Sequence, residues 1–457
     1  MTPSSAAPAK KPLLFFTSFA GEGHTNPVLA IAASMVQRGY DVAYLCSTAF
    51  EDKIKDAGAE FFEIAWEHQF KSPEEAANVA SMAIGLKRLA VQLVYVFYKG
   101  LSMRAKAVAE TLERLRARDL DRQIICIEDI LNMGTMPFRY GCPLPAGFDT
   151  PPKTIGISPV PLMVQSQDTG PFLLGLPPDS TESGRLRNKA LNRLVNEGPL
   201  RPLIEAWEHA LDACGCTVTP SGSPMTAWFT AHDASIMLCS PSLEYPVSDL
   251  PRAVQFAGCL PRGKVSSSFE YPVWWPEVTD NARGTASSKK IIFVSQGTVN
   301  KNWNELVLPT LQAFAGRDQL LVVAALGLRG AKLDDAVDVP ANARVIDYLP
   351  YDVILPLAHV FISNAGYGAF RHAVVNGVAT VFAGETEDKL EVAMRGEWAG
   401  FAHNLKTQTP SPEKLRIGVT KVLDDERYTT RAAELRRENE ALDCLARIEK
   451  QVELFTE

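Results

Sequence analysis

The sequence predicts an α/β protein made of two domains, each with a parallel sheet covered by helices. Its 457 residues exceed what one hydrophobic core holds, because domains average roughly 100–200 residues. Short apolar runs alternate with helix-length segments, and such alternation favours parallel sheets. The alternation breaks between 261 and 290 and then begins again. This break indicates a linker between two domains.

Residues 12–260 form the predicted N-terminal domain, after a flexible tail at 1–11. Its first unit is a strand over Leu13–Thr17, a glycine turn and a helical pattern over 27–38. Four more strands are predicted, at Asp41–Cys46, Ile124–Ile127, Thr154–Ile157 and Ser235–Cys239.

Residues 291–430 form the predicted C-terminal domain, which follows the linker at 261–290. The last segment, 431–457, is charged and helical in pattern, and we expect it to return to the N-terminal domain. Five strands are predicted, at Ile291–Ser295, Leu320–Ala325, Ala343–Ile346, Val360–Ser363 and Thr380–Phe382.

The composition excludes several classes of function. The net charge is -7 and no Lys/Arg block is present, so nucleic acid is not an expected partner. No apolar stretch reaches the ~20 residues of a membrane span, and the N-terminal tail lacks a secretory signal. Eight scattered cysteines indicate a reducing compartment, and Cys214 with Cys216 is too little for a metal site. We therefore expect a cytoplasmic protein. A monomer is the default expectation, and the composition does not bear on it.

The loop at 18–27, between the first strand and helix, contains the first residues suited to chemistry. Gly21 and Gly23 allow a tight turn. Asn26 is the predicted helix cap, and Pro27 is the predicted first helical residue. Because the loop lacks the third glycine and the downstream acid of a dinucleotide fingerprint, NAD binding is disfavoured.

His24, in this loop, is the predicted general base, since the carboxyl end of a parallel strand faces the crevice where ligands bind. The helix N-terminus is expected to lower its pKa and keep the imidazole neutral. The alternative is a loop histidine that only caps backbone groups. Asp129 is the predicted carboxylate partner, with the adjacent Glu128 as the alternative.

Two loops of small residues in the C-terminal half are predicted to bind a diphosphate. One spans Asn364–Ala369 between a strand and a helix, and the other is Ser295–Thr298. Small residues expose backbone N–H groups, and a helix N-terminus adds partial positive charge without a metal. The alternative is a pair of tight turns without a ligand.

Five motifs, in order, resemble the family 1 UDP-glycosyltransferases over roughly residues 12–430. They are His24 in its loop, Phe256–Gly258, Ser295–Thr298, Tyr348–Tyr351 and Asn364–Gly368. The resemblance implies the GT-B fold, with two Rossmann-like domains facing a cleft, acceptor bound mainly by the first and donor mainly by the second. It also implies inverting hexose transfer from a UDP-sugar, without cofactor or metal, in which His24 deprotonates the acceptor hydroxyl and Asp129 holds the imidazole.

The resemblance also implies a donor site in the C-terminal domain. Tyr348 falls where an aromatic ring stacks on uracil, and the backbone of Leu349 falls beside the base edge. Asp388 falls where an acid binds hexose hydroxyls, although an acid at a helix start is the alternative. The implied donor-binding residues are Gly23, Gly297, Thr298, Tyr348, Leu349, Tyr351, Asn364, Gly366, Tyr367, Gly368, Ala369, His372, Asp388 and Lys389.

Three positions depart from the family pattern. Asn364 replaces a phosphate-binding histidine, and His372 replaces a ribose-binding glutamate. Lys389 replaces a glutamine, and we expect it to contact a uronate or to pair with Glu385 or Glu391. UDP-glucose is the default donor implied by the family, with UDP-glucuronic acid and UDP-N-acetylglucosamine as alternatives.

Three apolar segments are the predicted walls of the acceptor pocket: Met82–Met103, Ile157–Pro161 and Phe172–Leu176. An apolar pocket with one base suits phenols such as flavonoids, sterols or hydroxylated lipids. The alternative for Met82–Met103 is a helix that only faces the core.

Two other functions are compatible with the same architecture. A hydrolysing UDP-sugar epimerase is expected to place several acids around the sugar rather than a loop histidine. A non-catalytic helper protein is expected to lose the base or its carboxylate. His24 and Asp129 are both present, which favours a transferase.

Overall fold

The computed structural model of the protein describes residues 10–64, 72–83, 85–263, 265, 269–284, 288–298 and 300–456. Two sheets, one of seven strands and one of six, each lie between helices. Every strand pair in both sheets is parallel, as the alternation of strands and helices predicts.

The first sheet belongs to the N-terminal domain and has the order β3-β2-β1-β4-β5-β6-β7. Its strands are β1 (Leu13–Thr17), β2 (Val42–Cys46), β3 (Glu60–Glu63), β4 (Ile124–Asp129), β5 (Lys153–Ser158), β6 (Ala234–Met237) and β7 (Val254–Phe256). The strand order reverses between β1 and β4. The loops after these two strands begin side by side, and their connections then turn to opposite faces of the sheet, which leaves a crevice at its carboxyl edge.

The second sheet belongs to the C-terminal domain and has the order β10-β9-β8-β11-β12-β13. Its strands are β8 (Lys290–Ser295), β9 (Leu320–Ala325), β10 (Ala343–Ile346), β11 (Val360–Ser363), β12 (Thr380–Phe382) and β13 (Ala402–Asn404). Here the order reverses between β8 and β11. The two predicted phosphate loops follow these strands, so they lie side by side.

Helices cover both faces of the two sheets. In the first half they are α1 (Glu22–Gln37), α2 (Glu51–Asp56), α3 (Pro73–Ser81), α4 (Leu86–Leu93), α5 (Leu101–Arg118), α6 (Met136–Arg139), α7 (Glu182–Glu197), α8 (Arg201–Ala213) and α9 (Pro224–Thr230). In the second half they are α10 (Trp275–Ala282), α11 (Val307–Phe314), α12 (Tyr351–Ile354), α13 (Tyr367–Asn376), α14 (Lys389–Ala399), α15 (Pro412–Asp424), α16 (Glu426–Leu442) and α17 (Cys444–Thr456).

The start of α1 differs from the prediction. The helix begins at Glu22 with Gly21 as its cap, so neither Asn26 nor Pro27 marks its start. Pro27 lies inside the helix, where its missing N–H leaves the carbonyl of Gly23 without an intrahelical donor. His24 is consequently a residue of the first helical turn rather than of a preceding loop.

The apolar segment Met82–Met103 is not one continuous helix. It contains α4, a π-helical turn over Val94–Tyr98 and the start of α5. Within the described ranges, no helix combines the length and apolarity needed to cross a bilayer.

The last two helices connect the domains. α16 packs on α13 of the C-terminal domain. Asp443, with a φ of +49°, separates it from α17. α17 buries Cys444, Ile448 and Val452 in the core that also holds Leu14 of β1. The chain thus returns to the N-terminal domain through α17.

Candidate active site

His24 and Asp129 meet at the point where the first sheet reverses its strand order. The Nδ1 atom of His24 lies 3.0 Å from Oδ2 of Asp129. Asp129 is fully buried and accepts hydrogen bonds from the backbone N–H groups of Phe19 (3.3 Å) and Leu131 (3.1 Å). The ring N–H at Nδ1 is not aligned with the carboxylate in this conformation, so the contact between the two groups is an ion-pair distance rather than a hydrogen bond.

The pKa of His24 is raised, so the prediction that the helix N-terminus lowers it is wrong. Burial lowers the pKa, but the carboxylate of Asp129 and, to a lesser extent, that of Asp388 together more than offset burial. A full negative charge at 3.0 Å outweighs the roughly half charge of a helix end. The fraction of His24 that can act as a base therefore increases as the pH rises through this elevated pKa.

Glu128, the alternative partner for His24, takes part in a separate buried network. Its carboxylate accepts hydrogen bonds from Asn132 Nδ2 at 2.9 Å and from the backbone N–H of Thr135 at 3.2 Å, and it lies 3.2 Å from His232 Nε2. Burial raises the pKa of Glu128, but these partners together lower it below its ordinary value. The nearby buried Arg104 donates to the carbonyls of Asn132 and Phe97; burial lowers the pKa of Arg104 to about 10, although the charge of Glu128 partly opposes this shift. The structure therefore pairs Asp129, and not Glu128, with His24.

Asp129→Asn is expected to lower kcat by roughly 100-fold while the protein stays folded. An amide has one acceptor oxygen, whereas Asp129 faces the N–H groups of Phe19 and Leu131 together with the ring of His24. The imidazole then loses its orientation and the charge that stabilises its protonated form. Steady-state kinetics with a thermal unfolding curve test this, and wild-type kcat would contradict it.

Glu128→Gln is the matched control, and we expect it to lower the stability of the protein while leaving kcat nearly unchanged. It replaces a fully buried carboxylate that Asn132, Thr135 and His232 surround, and leaving these partners imperfectly satisfied costs about 2 kcal/mol of unfolding free energy. The folded fraction should keep near-normal kcat, because Glu128 is directed away from His24. Chemical denaturation and active-site-normalised kinetics measure both quantities.

The two phosphate loops of the C-terminal domain are tied together by Asn364. Its side-chain N–H donates to the carbonyl of Gln296 at 2.7 Å, and its Oδ1 lies 3.4 Å from the backbone N of Gly366. The side chain of Asn364 is therefore engaged in fixing the loops. Gly297 has a φ of +74°. Its carbonyl oxygen lies so close to Gly327 that a Cβ atom on Gly327 would overlap it.

The N-terminus of α13 presents the backbone groups expected for a diphosphate site. The N–H groups of Tyr367, Gly368 and Ala369 form the first turn, where no intrahelical acceptor is available. Gly368 and Thr298 are exposed beside this turn. The side chain of Tyr367 is buried, stacks on Phe370 and packs toward the N-terminal domain.

The aromatic residues expected at the base subsite have different surroundings. Tyr348 is half-buried, and the guanidinium of Arg329 lies 4.4 Å from its ring centroid. Leu349 is buried behind it. Tyr351 packs its ring against Phe293 and places its hydroxyl 3.2 Å from Ser295 Oγ. Tyr351 therefore supports the loop after β8 from below.

His372 is oriented by an aspartate that also holds the linker. Its Nδ1 lies 2.9 Å from Asp352 Oδ1, and the other carboxylate oxygen of Asp352 accepts the backbone N–H of Gly263 at 2.9 Å. Burial raises the pKa of Asp352, but its contacts with His372 and Asn376 bring it below the ordinary value. Because Nδ1 faces Asp352, Nε2 is the ring nitrogen left for another partner, and the side chain of His372 is 43% exposed.

Asp388 and Lys389 lie at the start of α14. Asp388 is the N-cap residue, and burial raises its pKa to about 6. Asp388 belongs to the C-terminal domain, and its charge acts on His24 of the N-terminal domain, so the two side chains lie near each other. The ammonium group of Lys389 forms an ion pair with Glu387, and its Nζ donates a hydrogen bond to Thr386 Oγ1 at 3.1 Å. The predicted pairing of Lys389 with Glu385 or Glu391 is therefore wrong.

Several charged residues of the cleft were not predicted from the sequence. Arg371 of α13 is only 8% exposed, and its Nε has no hydrogen-bond partner among the described residues. Arg395, Glu391 and Glu244 form a buried ionic cluster between the domains. A charged residue at a core-facing helical position is the signal that could have identified Arg371 and Arg395.

No cluster of three or more His, Cys, Asp or Glu side chains in the described part of the chain is arranged to hold a metal ion. All eight cysteines are free thiols, including Cys214 and Cys216.

Comparison with known proteins identifies the family. Residues 310–454 match the family described as "Erythromycin biosynthesis protein CIII-like, C-terminal domain". UDP-glucosyltransferase 1 of Beauveria bassiana (strain ARSEF 2860) is 34% identical over 435 residues, which cover 94% of this chain and 92% of that protein. UDP-glucosyltransferase A1 of Starmerella bombicola is 31% identical over 462 residues, covering 99% of this chain and 93% of the relative.

Solved structures share the architecture at low sequence identity. The glycotransferase of kitacinnamycin superposes with a TM-score of 0.69 at 18% identity, covering 98% of this chain and 99% of that chain. The calicheamicin glycosyltransferase CalG4 superposes with a TM-score of 0.62 at 18% identity, covering 98% of both chains. These similarities show the GT-B fold. Together with the full-length relatives, they show that the chain is an enzyme and belongs to the family 1 UDP-glycosyltransferases.

Proposed function

We propose that the enzyme transfers a hexose, with glucose as the first choice, from a UDP-sugar to a hydroxyl group of an apolar small molecule, with inversion and without a metal. The observation that carries this proposal is the contact between His24 and Asp129 on one side of the cleft, with Asp388 and the N-terminus of α13 on the other. A base, a sugar-binding carboxylate and an anion site thus converge on one space.

The chemistry divides between the two domains. Nδ1 of His24 faces Asp129, so Nε2 is the nitrogen left to accept the proton of the acceptor hydroxyl. The acceptor oxygen forms a bond to the anomeric carbon while the bond from that carbon to the β-phosphate oxygen breaks on the opposite face. In-line displacement of this kind inverts an α-linked donor to a β-glycoside.

The leaving diphosphate carries the charge that develops in the transition state. The N–H groups at the start of α13 and the partial positive charge of the helix are suited to stabilise that charge. Asn364 keeps the two phosphate loops at a fixed separation. Tyr348 is the proposed platform for uracil, and His372 the proposed contact to ribose.

A neutral hexose fits the sugar end better than a uronate. The ammonium group of Lys389 already pairs with Glu387, and burial lowers the pKa of Lys389 to about 8. Asp388 is a hydrogen-bond acceptor for sugar hydroxyl groups and would repel a uronate carboxylate. The names of the two full-length relatives, both UDP-glucosyltransferases, also favour glucose.

The acceptor is proposed to be a phenol such as a flavonoid, a sterol or a hydroxylated lipid. Val160, Leu162 and the half-buried Phe172 contribute to one apolar cluster with Phe19, which neighbours His24. Apolar walls around one base suit a hydrophobic molecule with a single reacting hydroxyl. Hydroxyl groups of strongly polar acceptors would remain better solvated in water.

The proposed function is tested with a panel of UDP-sugars against a flavonoid, a sterol and a hydroxy fatty acid in EDTA. Released UDP and product mass are measured with each pair. Acceptor-dependent UDP release with a hexose mass gain supports the proposal and identifies the donor. Free sugar or 2-epimer formed without acceptor would instead indicate a hydrolysing epimerase, and no turnover at all would favour a non-catalytic helper.

A further inference from the structure

Helix α14 connects the sugar-facing end of the cleft to a loop of the other domain. Asp388 caps the helix, and Glu391 follows in its first turn. One carboxylate oxygen of Glu391 accepts the backbone N–H groups of Leu173 at 2.7 Å and Gly175 at 2.9 Å. The loop Phe172–Leu176, a predicted acceptor wall, is therefore bound to the helical turn that directly follows Asp388, the proposed sugar-binding residue.

Arg395 extends this contact deeper between the domains. Its guanidinium donates to Glu391 Oε2 at 2.7 Å, to the carbonyl of Leu162 at 3.0 Å and to Glu244 Oε2. Glu244 in turn accepts the backbone N–H of Leu162 at 2.9 Å. One arginine thus connects two segments of the N-terminal domain to the first two turns of α14.

Burial makes this ionic cluster sensitive to the loss of any member. The side chains of Arg395, Glu244 and Glu391 are at most 6% exposed. Burial lowers the pKa of Arg395, but the two carboxylates raise it well above its ordinary value, so it stays charged. Buried charges of this kind are tolerated only when nearly every donor and acceptor is satisfied, which fixes one geometry.

The backbone of the loop is shaped to fit α14. Leu173 has a φ of +84° and Gly175 a φ of +60°, a region that favours glycine. A Cβ at Gly175 would lie 2.9 Å from Cγ of Leu390, so only glycine permits this approach. A loop held in a left-handed conformation by contacts from the other domain depends on those contacts for its position.

We propose that Glu391 and Arg395 are positioning residues that hold the loop Phe172–Leu176 against the proposed sugar subsite. They would thereby fix the position of this acceptor wall relative to the carboxylate of Asp388. The inference rests on the proposed function. When the loop is in place, the acceptor is aligned with the anomeric carbon and water is kept out. When it is released, acceptor binding weakens and water competes for the sugar.

The kinetic test compares Glu391→Ala, Glu391→Gln and Asn439→Ala. Asn439 is the matched control, since it is a buried polar residue that bonds across the domains to Ser240 and Cys259, and none of its described hydrogen bonds involves Glu391, Arg395 or the loop Phe172–Leu176. We expect Glu391→Ala to raise the acceptor KM by at least about tenfold and to increase the ratio of UDP-sugar hydrolysis to transfer. The KM for UDP-sugar should change little, whereas kcat for transfer should fall because the acceptor is no longer aligned with the anomeric carbon.

Glu391→Gln should partly restore the acceptor KM, because its amide oxygen can still accept the N–H groups of Leu173 and Gly175. A general loss of stability would not produce this rescue. Unchanged acceptor KM and hydrolysis in Glu391→Ala, or equal changes in Asn439→Ala, would overturn the proposal.

Hydrogen exchange tests the positioning without catalysis. In the ligand-free protein, we expect the amides of Leu173 and Gly175 to exchange faster in Glu391→Ala but not in Asn439→Ala. Exchange at wild-type rates in Glu391→Ala would overturn the positioning role. If the wild-type enzyme transfers no sugar to any acceptor, the proposed function fails, and exchange still decides whether Glu391 holds the loop.

Discussion

Replacing His24 by alanine is expected to lower kcat on an unactivated hydroxyl by about 10²–10⁴-fold, with little change in the KM for UDP-sugar. The imidazole is the group proposed to accept the acceptor proton, while the donor contacts lie in the other domain. The mass and amount of glycoside formed under saturating substrates measure this effect.

A change of acceptor provides the control for His24→Ala. A phenol with a strongly acidic hydroxyl is already ionised at neutral pH and needs no base, so His24→Ala should retain much more of its activity on it. Equal losses on acidic and ordinary phenols would mean that His24 acts in structure or binding instead. Near-wild-type turnover of His24→Ala on an ordinary phenol would contradict the assignment of His24 as the general base.

The pH profile gives a second measure of the same residue. Because Asp129 and Asp388 raise the pKa of His24, the wild-type kcat/KM should rise with pH through a midpoint above that of an ordinary histidine. Asp129→Asn should move this midpoint to lower pH, since it removes the largest stabilising charge. An unchanged midpoint in Asp129→Asn would contradict the pairing.

Pattern alone predicted most of the strands and the approach of His24 to an acid at the end of β4. Strands such as β1 and β9 are continuous apolar runs, and their bounds agree with the prediction. β3, β7 and β13 were missed, because they are short, lie at or near sheet edges and contain polar residues. The convergence of His24 with an acid followed from parallel topology, since the loops after β1 and β4 meet at one sheet edge.

Details that depend on contacts between distant parts of the chain could not be predicted. Adjacent strand residues point to opposite faces, so the choice between Glu128 and Asp129 required the register of β4. The sign of the pKa shift of His24 depended on the 3.0 Å approach of Asp129. Arg395 and Glu244 are 151 residues apart, and no periodicity relates them.

Asp388→Asn is expected to lower kcat/KM for the UDP-sugar by about 100-fold, because a carboxylate forms stronger hydrogen bonds to sugar hydroxyl groups than an amide does. Affinity for UDP itself should not change, because the proposed diphosphate and base subsites, at the start of α13 and at Tyr348, do not include Asp388. Product formation and calorimetric titration with UDP separate the two effects. Weaker binding of UDP would indicate a role in the diphosphate site instead.

The same substitution should stabilise the protein at neutral pH. Burial raises the pKa of Asp388 from 3.8 to about 6, so the folded protein binds this proton more tightly than the unfolded chain does. Stability from this group is therefore present below about pH 4 and is lost as the pH rises through about 6. An asparagine side chain cannot ionise, so the melting temperature of Asp388→Asn should exceed that of the wild type at about pH 8 and match it near pH 4. An acid that weakens the fold while it binds the substrate is the combination expected of a functional residue, and equal melting temperatures at both pH values would argue against it.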